Sequence, residues 1–278
     1  LNYRHAYHAG NFADVLKHVV LAKIVQHLNA KPAPWSYLDT HAGVGLYDLS
    51  GEEAEKTGEW RNGVGRLRGR TFGAAAEALL GPWRESLLGL REDAYPGSPE
   101  IVRRLARETD RLRLCEKHPK DFLALSDNFA RDRRVKAVEI DGWTALNAWL
   151  PPPERRGLVL IDPPFEEPGE YARMAERFLK AFFVWPTGCF ALWYPVKAPV
   201  ETRALLERVA TAGIPKLINL QLLVRAPVDS KVLAGSGMLV ANPPWRLAEE
   251  FEAAGPDLAK ALGQGPGARA IADVLAAA

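Results

Sequence analysis

The chain has only two cysteines in 278 residues, no apolar run long enough to cross a membrane, and almost no excess of either charge. Each shortage removes a class of protein. Cys115 and Cys189 sit among apolar neighbours and are expected as buried thiols in a reducing compartment, with no disulfide framework and no thiolate metal site. A membrane-spanning helix needs about 20 consecutive apolar residues, and the sequence has no such stretch. The first residues, LNYRHAYHAGNFADVLKH, lack the apolar centre and small-residue cleavage site of a signal peptide, so the expected location is cytoplasmic. With 36 Lys and Arg against 34 Asp and Glu, the net charge is +2. That balance does not mark a nucleic-acid binder, because phosphate contacts need local clusters. Such clusters occur at Arg66, Arg68 and Arg70, from Arg103 to Arg113, and at Arg131, Arg133, Arg134 and Lys136. Each reads either as a solvated face balanced by nearby carboxylates or as a phosphate contact.

What remains is a globular composition, 47% hydrophobic and 25% charged, whose apolar period alternates between helix and strand. That alternation predicts an α/β fold. Helix is expected from Asn11, with Phe12, Val15, Leu16, Val19, Ile24 and Leu28 on one apolar face. About seven strands are expected, over residues 36–39, 112–115, 135–140, 158–161, 189–194, 214–224 and 238–241. No helix separates the last two, which are therefore expected to pair antiparallel. Ser98-Pro99-Glu100 opens a helix predicted to run through Glu108. Residues 51–95 break the rhythm and read as a helical insertion subdomain within one domain spanning residues 1–278. The Gly/Pro-rich residues 255–267 read as helix punctuation.

Open α/β sheets bind ligands beyond the carboxyl ends of their strands. Those ends carry Asp39, Thr40, His41, Gly43 and Gly45, then Glu116, then Asp141 and Gly142, then Asp162, Pro163, Pro164 and Phe165. A carboxylate closes each of four successive strands, although any one of them alone also suits a helix cap or a turn. Gly43 and Gly45 permit close backbone approach, but HAGVGLYD has no third glycine, which argues against a dinucleotide. Glu116 could accept both hydroxyls of a ribose. Asp141 could accept from an adenine amino group, with Gly142 letting backbone approach the ring. The implied ligand is an adenosine derivative without pyrophosphate.

The stretch LIDPPF adds a reaction. An exocyclic aryl amine is a poor nucleophile because its lone pair is delocalised into the ring. Asp162 and the Pro163 carbonyl could accept from its two N–H groups and favour a pyramidal nitrogen. The two prolines remove competing backbone donors, and Phe165 could stack on a flipped base.

In this order, HAGVG, Glu116, Asp141-Gly142 and DPPF resemble a class I S-adenosylmethionine-dependent methyltransferase acting on an amine. YRHAYHAGNFADVLKH, YLDTHAGVGLYDL, TGEW, YPGSP, ALWYPV and SGMLVANPPW extend the resemblance, over nearly the whole chain, to the RlmJ family of bacterial 23S ribosomal RNA adenine-N6 methyltransferases. The resemblance implies a Rossmann-like fold and S-adenosyl-L-methionine as cofactor, lined by His18, His41, Ser98, Glu116, Asp141, Gly142 and Asp162. It implies Asp162 as the catalytic residue within Asp162-Pro163-Pro164-Phe165, and Tyr3, followed by Arg4 and His5, against 23S ribosomal RNA. A monomer is expected. Many relatives carry Tyr where this chain has Phe165, which keeps a stacking face and loses a hydroxyl.

MLVANPPW repeats the Pro-Pro-aromatic pattern, but Asn242 follows the last strand and has no glycine-rich loop in its own unit. It is expected to end the hairpin and start a helix, with Trp245 packed or on a rim. His5, His8, His18 and His41 lack a cysteine partner, and no metal is expected. His5 and His8 suit RNA or local hydrogen bonds, and Asp14 and His18, one helical turn apart, suit a pair. Arg61, Arg66, Arg68 and Arg70 in the insertion are expected at RNA phosphates, the alternative being a lid over the cofactor. Residue chemistry alone leaves open a DNA adenine, a protein glutamine, or RNA binding without catalysis on the same fold.

Overall fold

In the computed structural model, which describes residues 4–165, 169–197 and 199–276, Asn11 opens the first helix by accepting the amides of Ala13 and Asp14 at 2.9 and 3.0 Å. The elements follow as α1 (Phe12–Asn29), β1 (Ser36–Asp39), β2 (Leu46–Asp48), α2 (Glu52–Thr57), α3 (Ala74–Leu87), β3 (Ala94–Pro96), α4 (Ser98–Leu105) and β4 (Arg111–Glu116). Then come α5 (Pro119–Phe129), β5 (Val135–Glu139), α6 (Gly142–Trp149), β6 (Gly157–Ile161), α7 (Glu170–Val184) and β7 (Cys189–Val196). The chain continues through α8 (Pro199–Ala210), β8 (Leu217–Leu223), β9 (Gly235–Ala241), α9 (Leu247–Leu262) and β10 (Arg269–Ala276). Short 3-10 turns occur at His5–Tyr7, Glu59–Asn62 and Val64–Arg66.

The main sheet has the order β10-β8-β9-β7-β6-β1-β4-β5. From β7 to β5 every neighbouring pair is parallel, whereas β9 runs antiparallel between β7 and β8, and β10 antiparallel against β8. The antiparallel pairing of the two strands near 214–224 and 238–241 matches the sequence reading. After β1 the chain builds β4 and β5 on one side and then returns to build β6 and β7 on the other, so the order reverses between β1 and β6. A crevice opens at such a reversal.

Among the described residues the sheet has eight strands, close to the seven or so expected; the addition is Arg269–Ala276, which extends along β8 after the Gly/Pro-rich turn. Its alanine-rich sequence has weak strand propensity, and pairing with β8 and packing against α9 decide its form. The helix from Ser98 ends at Leu105, where Ala106 becomes extended, rather than at Glu108. The segment that follows is held by Asp110, which accepts from the amides of Trp35 and Arg107 at 3.1 and 2.8 Å. Finally, α1 is buried on nearly all sides rather than on one face, since α3 and α4 cover what the sheet does not. Its polar residues Asp14, Lys17 and His18 are therefore interior.

Residues 51–95 leave the β2 end and run into β3, and the two strands pair as a small antiparallel ribbon. Helix α3 packs on α1, α4 and α9, and Leu79, Leu80 and Trp83 join the same apolar core as α1. Both cysteines are buried and free, and burial pushes the Cys189 thiol up to about 12. Among the described residues no helix is long and apolar enough to cross a membrane.

Strand direction separates the two Pro-Pro motifs. Phe190, near the start of β7, lies opposite Ala241, the last residue of antiparallel β9. Asn242 consequently stands at the amino-terminal edge of the parallel strands, whereas Asp162 stands at their carboxyl edge. Asn242 takes a left-handed φ of 52° and donates from Nδ2 to the carbonyls of Pro186 and Gly188, 2.8 Å each. Trp245, expected packed or on a rim, is 83% exposed.

A polar relay ties the antiparallel half together. The Tyr194 ring crosses Gly237 of β9, where an added Cβ would come within 2.1 Å of Cζ. Its hydroxyl donates to Asn219 Oδ1 and accepts from Gln221 Nε2 at 2.9 Å, and Asn219 Nδ2 donates to Asp273 of β10 at 3.1 Å. Tyr194→Phe strands two buried polar groups and is expected to lower unfolding free energy by about 1–3 kcal/mol in urea titrations. An unchanged midpoint would show that the relay contributes nothing.

Candidate active site

Because β1, β4, β5 and β6 are parallel neighbours, their carboxyl ends share one edge of the sheet. A cavity of about 620 Å³ opens there, lined by His18, His41, Ser98, Glu116, Asp141, Gly142 and Asp162 with Pro163, Pro164 and Phe165. His5 also lines it, whereas Arg4 does not. Tyr3 lies outside the described residues.

The loop after β1 forms the first wall. Gly43, at φ 60°, donates its amide to Glu116 Oε2 at 2.9 Å, and the His118 amide donates to Oε1 at 2.7 Å. Burial raises the Glu116 carboxyl against the pull of those amides. Asp39 is fully buried and accepts from Ser98 Oγ at 2.6 Å, Tyr37 Oη at 2.7 Å and the His41 amide at 3.2 Å. Burial pushes it up to about 6 despite these bonds. His41 meets the edge of Trp143 at 5.6 Å, and burial pushes its imidazole down to about 4.

Asp141 also does the ordinary work of a helix cap, accepting the Thr144 amide at 3.1 Å while Lys117 reaches it at 3.2 Å. Burial opposes its ionisation, yet those contacts hold it below the usual carboxylate range. A Cβ on Gly142 would come within 2.2 Å of the Thr40 carbonyl. The observed close approach is thus between α6 and the β1 loop, in addition to the open wall expected for a ring.

The fourth strand end is held by a residue that sequence reasoning passed over. Lys17 is buried in α1, and its ammonium donates to Asp162 Oδ2 at 2.6 Å and lies 2.8 Å from Asp14 Oδ1. Burial works against the charge, but the two carboxylates outweigh it and hold Lys17 well above its ordinary value. Asp14 also accepts from the Gly10 amide and pairs with His5, both at 2.9 Å. Burial raises its carboxyl, but His5, Lys17 and His18 outweigh that and hold it well below the ordinary value. The expected Asp14–His18 pair is only a 4.0 Å contact; His18 Nδ1 instead meets Tyr95 Oη at 2.8 Å. The missed signal was Asp14 and Lys17 three residues apart inside an otherwise apolar helix. Beyond Asp162, Phe165 meets the edges of Tyr171 at 5.0 Å and Trp193 at 5.8 Å.

Several arginines of the basic clusters are committed elsewhere. Arg4 binds Glu53 at 2.9 Å and Asp121 at 3.5 Å, fastening the N-terminal segment to α2 and α5. In the insertion, Arg66 donates to the Gly263 carbonyl and Asn62, Arg68 to the carbonyls of Glu92 and Ala94, and Arg61 to Glu55. Neither these three nor Arg70 lines the cavity. Arg103, Arg107 and Arg134 pair with Glu100, Asp110 and Asp132. Among the described residues no three His, Cys, Asp or Glu side chains gather as metal ligands.

A mostly parallel sheet with acid-ended strands at its reversal point and an Asp-Pro-Pro-aromatic loop defines a class I, Rossmann-like methyltransferase. Residues 32–274 match the family model for ribosomal RNA large subunit methyltransferase D, RlmJ. The chain is 40% identical over 252 residues to ribosomal RNA large subunit methyltransferase J of Escherichia coli K12, covering 90% of each. It is 41% identical over 264 residues to the protein of that name from Haemophilus influenzae, covering 94% of each. The crystal structure of a Legionella pneumophila protein, 30% identical, superposes with a TM-score of 0.85 over 96% of this chain and 98% of that one. The chain belongs to the RlmJ family.

Class I methyltransferases draw on S-adenosyl-L-methionine, and the acidic half of the cavity fits it. Glu116 accepts backbone amides yet keeps lone pairs for a ribose diol. Gly43 and Gly142 bring backbone to the wall without a side chain, and the buried His18 Nε2, with no hydrogen-bond partner among the described residues, adds a polar atom there.

That histidine gives a pH test. Burial pushes His18 down to about 3, with Asp14 opposing and Lys17 adding to the shift. The unfolded chain binds a proton below the ordinary value of 6.5 that the folded chain refuses, so the contribution is present above that pH and lost as pH falls toward 3. From about pH 6 to about pH 4.5, wild-type stability should fall more steeply than that of His18→Gln, by about 1.4 kcal/mol per pH unit. Parallel denaturation curves would contradict the buried neutral imidazole.

Proposed function

We propose that the chain methylates the N6 amine of an adenine in 23S ribosomal RNA. The observation that carries this reading is the placement of Asp162, held through Oδ2 by Lys17, between the acidic half of the cavity and the Phe165–Trp193 aromatic wall. The large-subunit substrate in the names of the two curated relatives supports the choice of RNA. A ribosomal RNA substrate would place the enzyme in the cytoplasm.

S-adenosyl-L-methionine, when bound, supplies an electrophilic methyl group, and His18, His41, Ser98, Glu116, Asp141 and Gly142 would hold it. The chain's own task is to prepare the amine. With Oδ2 engaged by Lys17, Asp162 Oδ1 is left to accept one N–H of the adenine, and the Pro163 carbonyl accepts the other. Withdrawing both hydrogens from the ring plane localises the nitrogen lone pair, which the flat amine shares with the ring. Phe165 and Trp193 offer faces and edges for the displaced base, and His5 of the N-terminal segment lines the same cavity. The acceptors gain strength as the nitrogen becomes positive, so they favour the transition state over the ground state.

Asp162→Asn is therefore expected to bind cofactor normally and to lose about 100-fold or more in kcat. Asn242→Ala, at the opposite edge of the sheet, should lose stability but keep kcat/KM. Equal activity losses in the two variants would reverse the assignment.

A further inference from the structure

The cavity is divided by charge. Its cofactor half is bounded by Glu116, Asp121 and Asp141; beyond Asp162 and Phe165, the other half is bounded by Trp193, Pro195, Lys197 and Lys231. Trp193, Pro195 and Lys197 alternate at the end of β7 and so share the face that looks into the cavity. Lys197 follows Trp193 by four residues, roughly 13 Å of extended chain. The Ala234 amide donates to the Val196 carbonyl at 3.0 Å, which lays the segment carrying Lys231 and Leu233 beside the end of β7. Two lysines from separate connections thus converge on one half of the cavity.

Neither lysine has an ion-pair or hydrogen-bond partner for its ammonium among the described residues, whereas Arg4, Arg103, Arg107 and Arg134 are all tied to carboxylates. In this half Arg173 is also tied to a carboxylate, that of Glu170 at 2.9 Å. Lys197 also lies near enough to His8 to oppose its protonation, so its charge faces the same opening as the N-terminal segment. Two uncompensated ammonium groups beside an aromatic wall, on the far side of the catalytic carboxylate from the acidic half, fit a ligand with an aromatic base and an attached anion.

We propose that Lys197 and Lys231 bind the phosphate groups attached to the adenosine whose base lies against Asp162 and Phe165. This rests on the reading of the site as an RNA adenine-N6 methyltransferase. The two lysines fix the backbone of the extruded nucleotide while Asp162 and the Pro163 carbonyl read its amine, so the cavity selects a nucleotide within a polyanion over a free nucleoside.

The test compares wild-type chain with a Lys197→Gln/Lys231→Gln double variant, using an adenosine-containing single-stranded RNA in fluorescence anisotropy across a salt series. The control is Lys31→Gln/Lys216→Gln, two lysines at the opposite edge of the sheet near Asn242. The Lys197/Lys231 variant should bind roughly tenfold or more weakly at low salt, with a slope of log affinity against log salt shallower by about 1.4, two single-strand phosphate contacts. Its KM for RNA should rise while kcat stays within about twofold. The control should keep the wild-type slope, and adenosine, which has no phosphate, should bind both variants like the wild type. An unchanged slope in the Lys197/Lys231 variant, equal flattening in the control, or an equal loss for adenosine would overturn the proposal. If wild-type chain shows the expected slope difference but transfers no methyl group to RNA, the phosphate subsite stands and the methyl-transfer reading falls. If it methylates RNA while the double variant keeps its KM and slope, only the subsite falls.

Discussion

The ammonium of Lys17, buried between Asp14 and Asp162, is the contact on which the site's architecture depends. It joins helix α1 to the end of β6, and through Asp14 it also joins the N-terminal segment, because His5 and the Gly10 amide meet the same carboxylate. Burying these charges is costly, and the arrangement is a device for position more than a source of net stability. Loss of one partner would leave an uncompensated charge in the interior, which ties the Asp162 loop, α1 and the N-terminal segment to one geometry. The burial of α1 on nearly all sides makes this possible. A helix wet on one side would leave the ammonium to water, and Asp162 would lose its fixed neighbour.

Sheet direction supplies the second constraint. Parallel β1, β4, β5 and β6 deliver Asp39, Glu116, Asp141 and Asp162 to one edge, while antiparallel β9 sends Asn242 to the other. Two loops with nearly the same residues therefore meet different surroundings. Asp162 faces a cavity and an ammonium, whereas Asn242 spends its amide on two carbonyls of the neighbouring turn. The motif becomes meaningful only with the polarity of the strand that carries it.

The four acidic strand ends were legible in the sequence because each follows a short apolar run, and a run that ends in a carboxylate is easy to place. Lys17 was not, because a lysine in an apolar helix reads as solvent-facing until the covering helices are known. The strand Arg269–Ala276 was hidden by its alanines, which favour helix, and its pairing comes from a partner far away in sequence. Composition counts guanidinium groups but does not show that Arg66 and Arg68 end on backbone carbonyls, or that Arg103, Arg107 and Arg134 end on carboxylates. Lys197 and Lys231 drew no notice because they are isolated in sequence and come to one cavity only through the fold.

The cavity thus combines an acidic half, a carboxylate fixed by a buried lysine, and an aromatic wall leading to two open ammonium groups. Its chemistry is tested most directly by incubating the chain with methyl-labelled S-adenosyl-L-methionine and unmodified 23S ribosomal RNA, digesting the RNA to nucleosides and separating them. The account predicts label in N6-methyladenosine. Label in any other nucleoside, or in a DNA adenine but not in RNA, would contradict it.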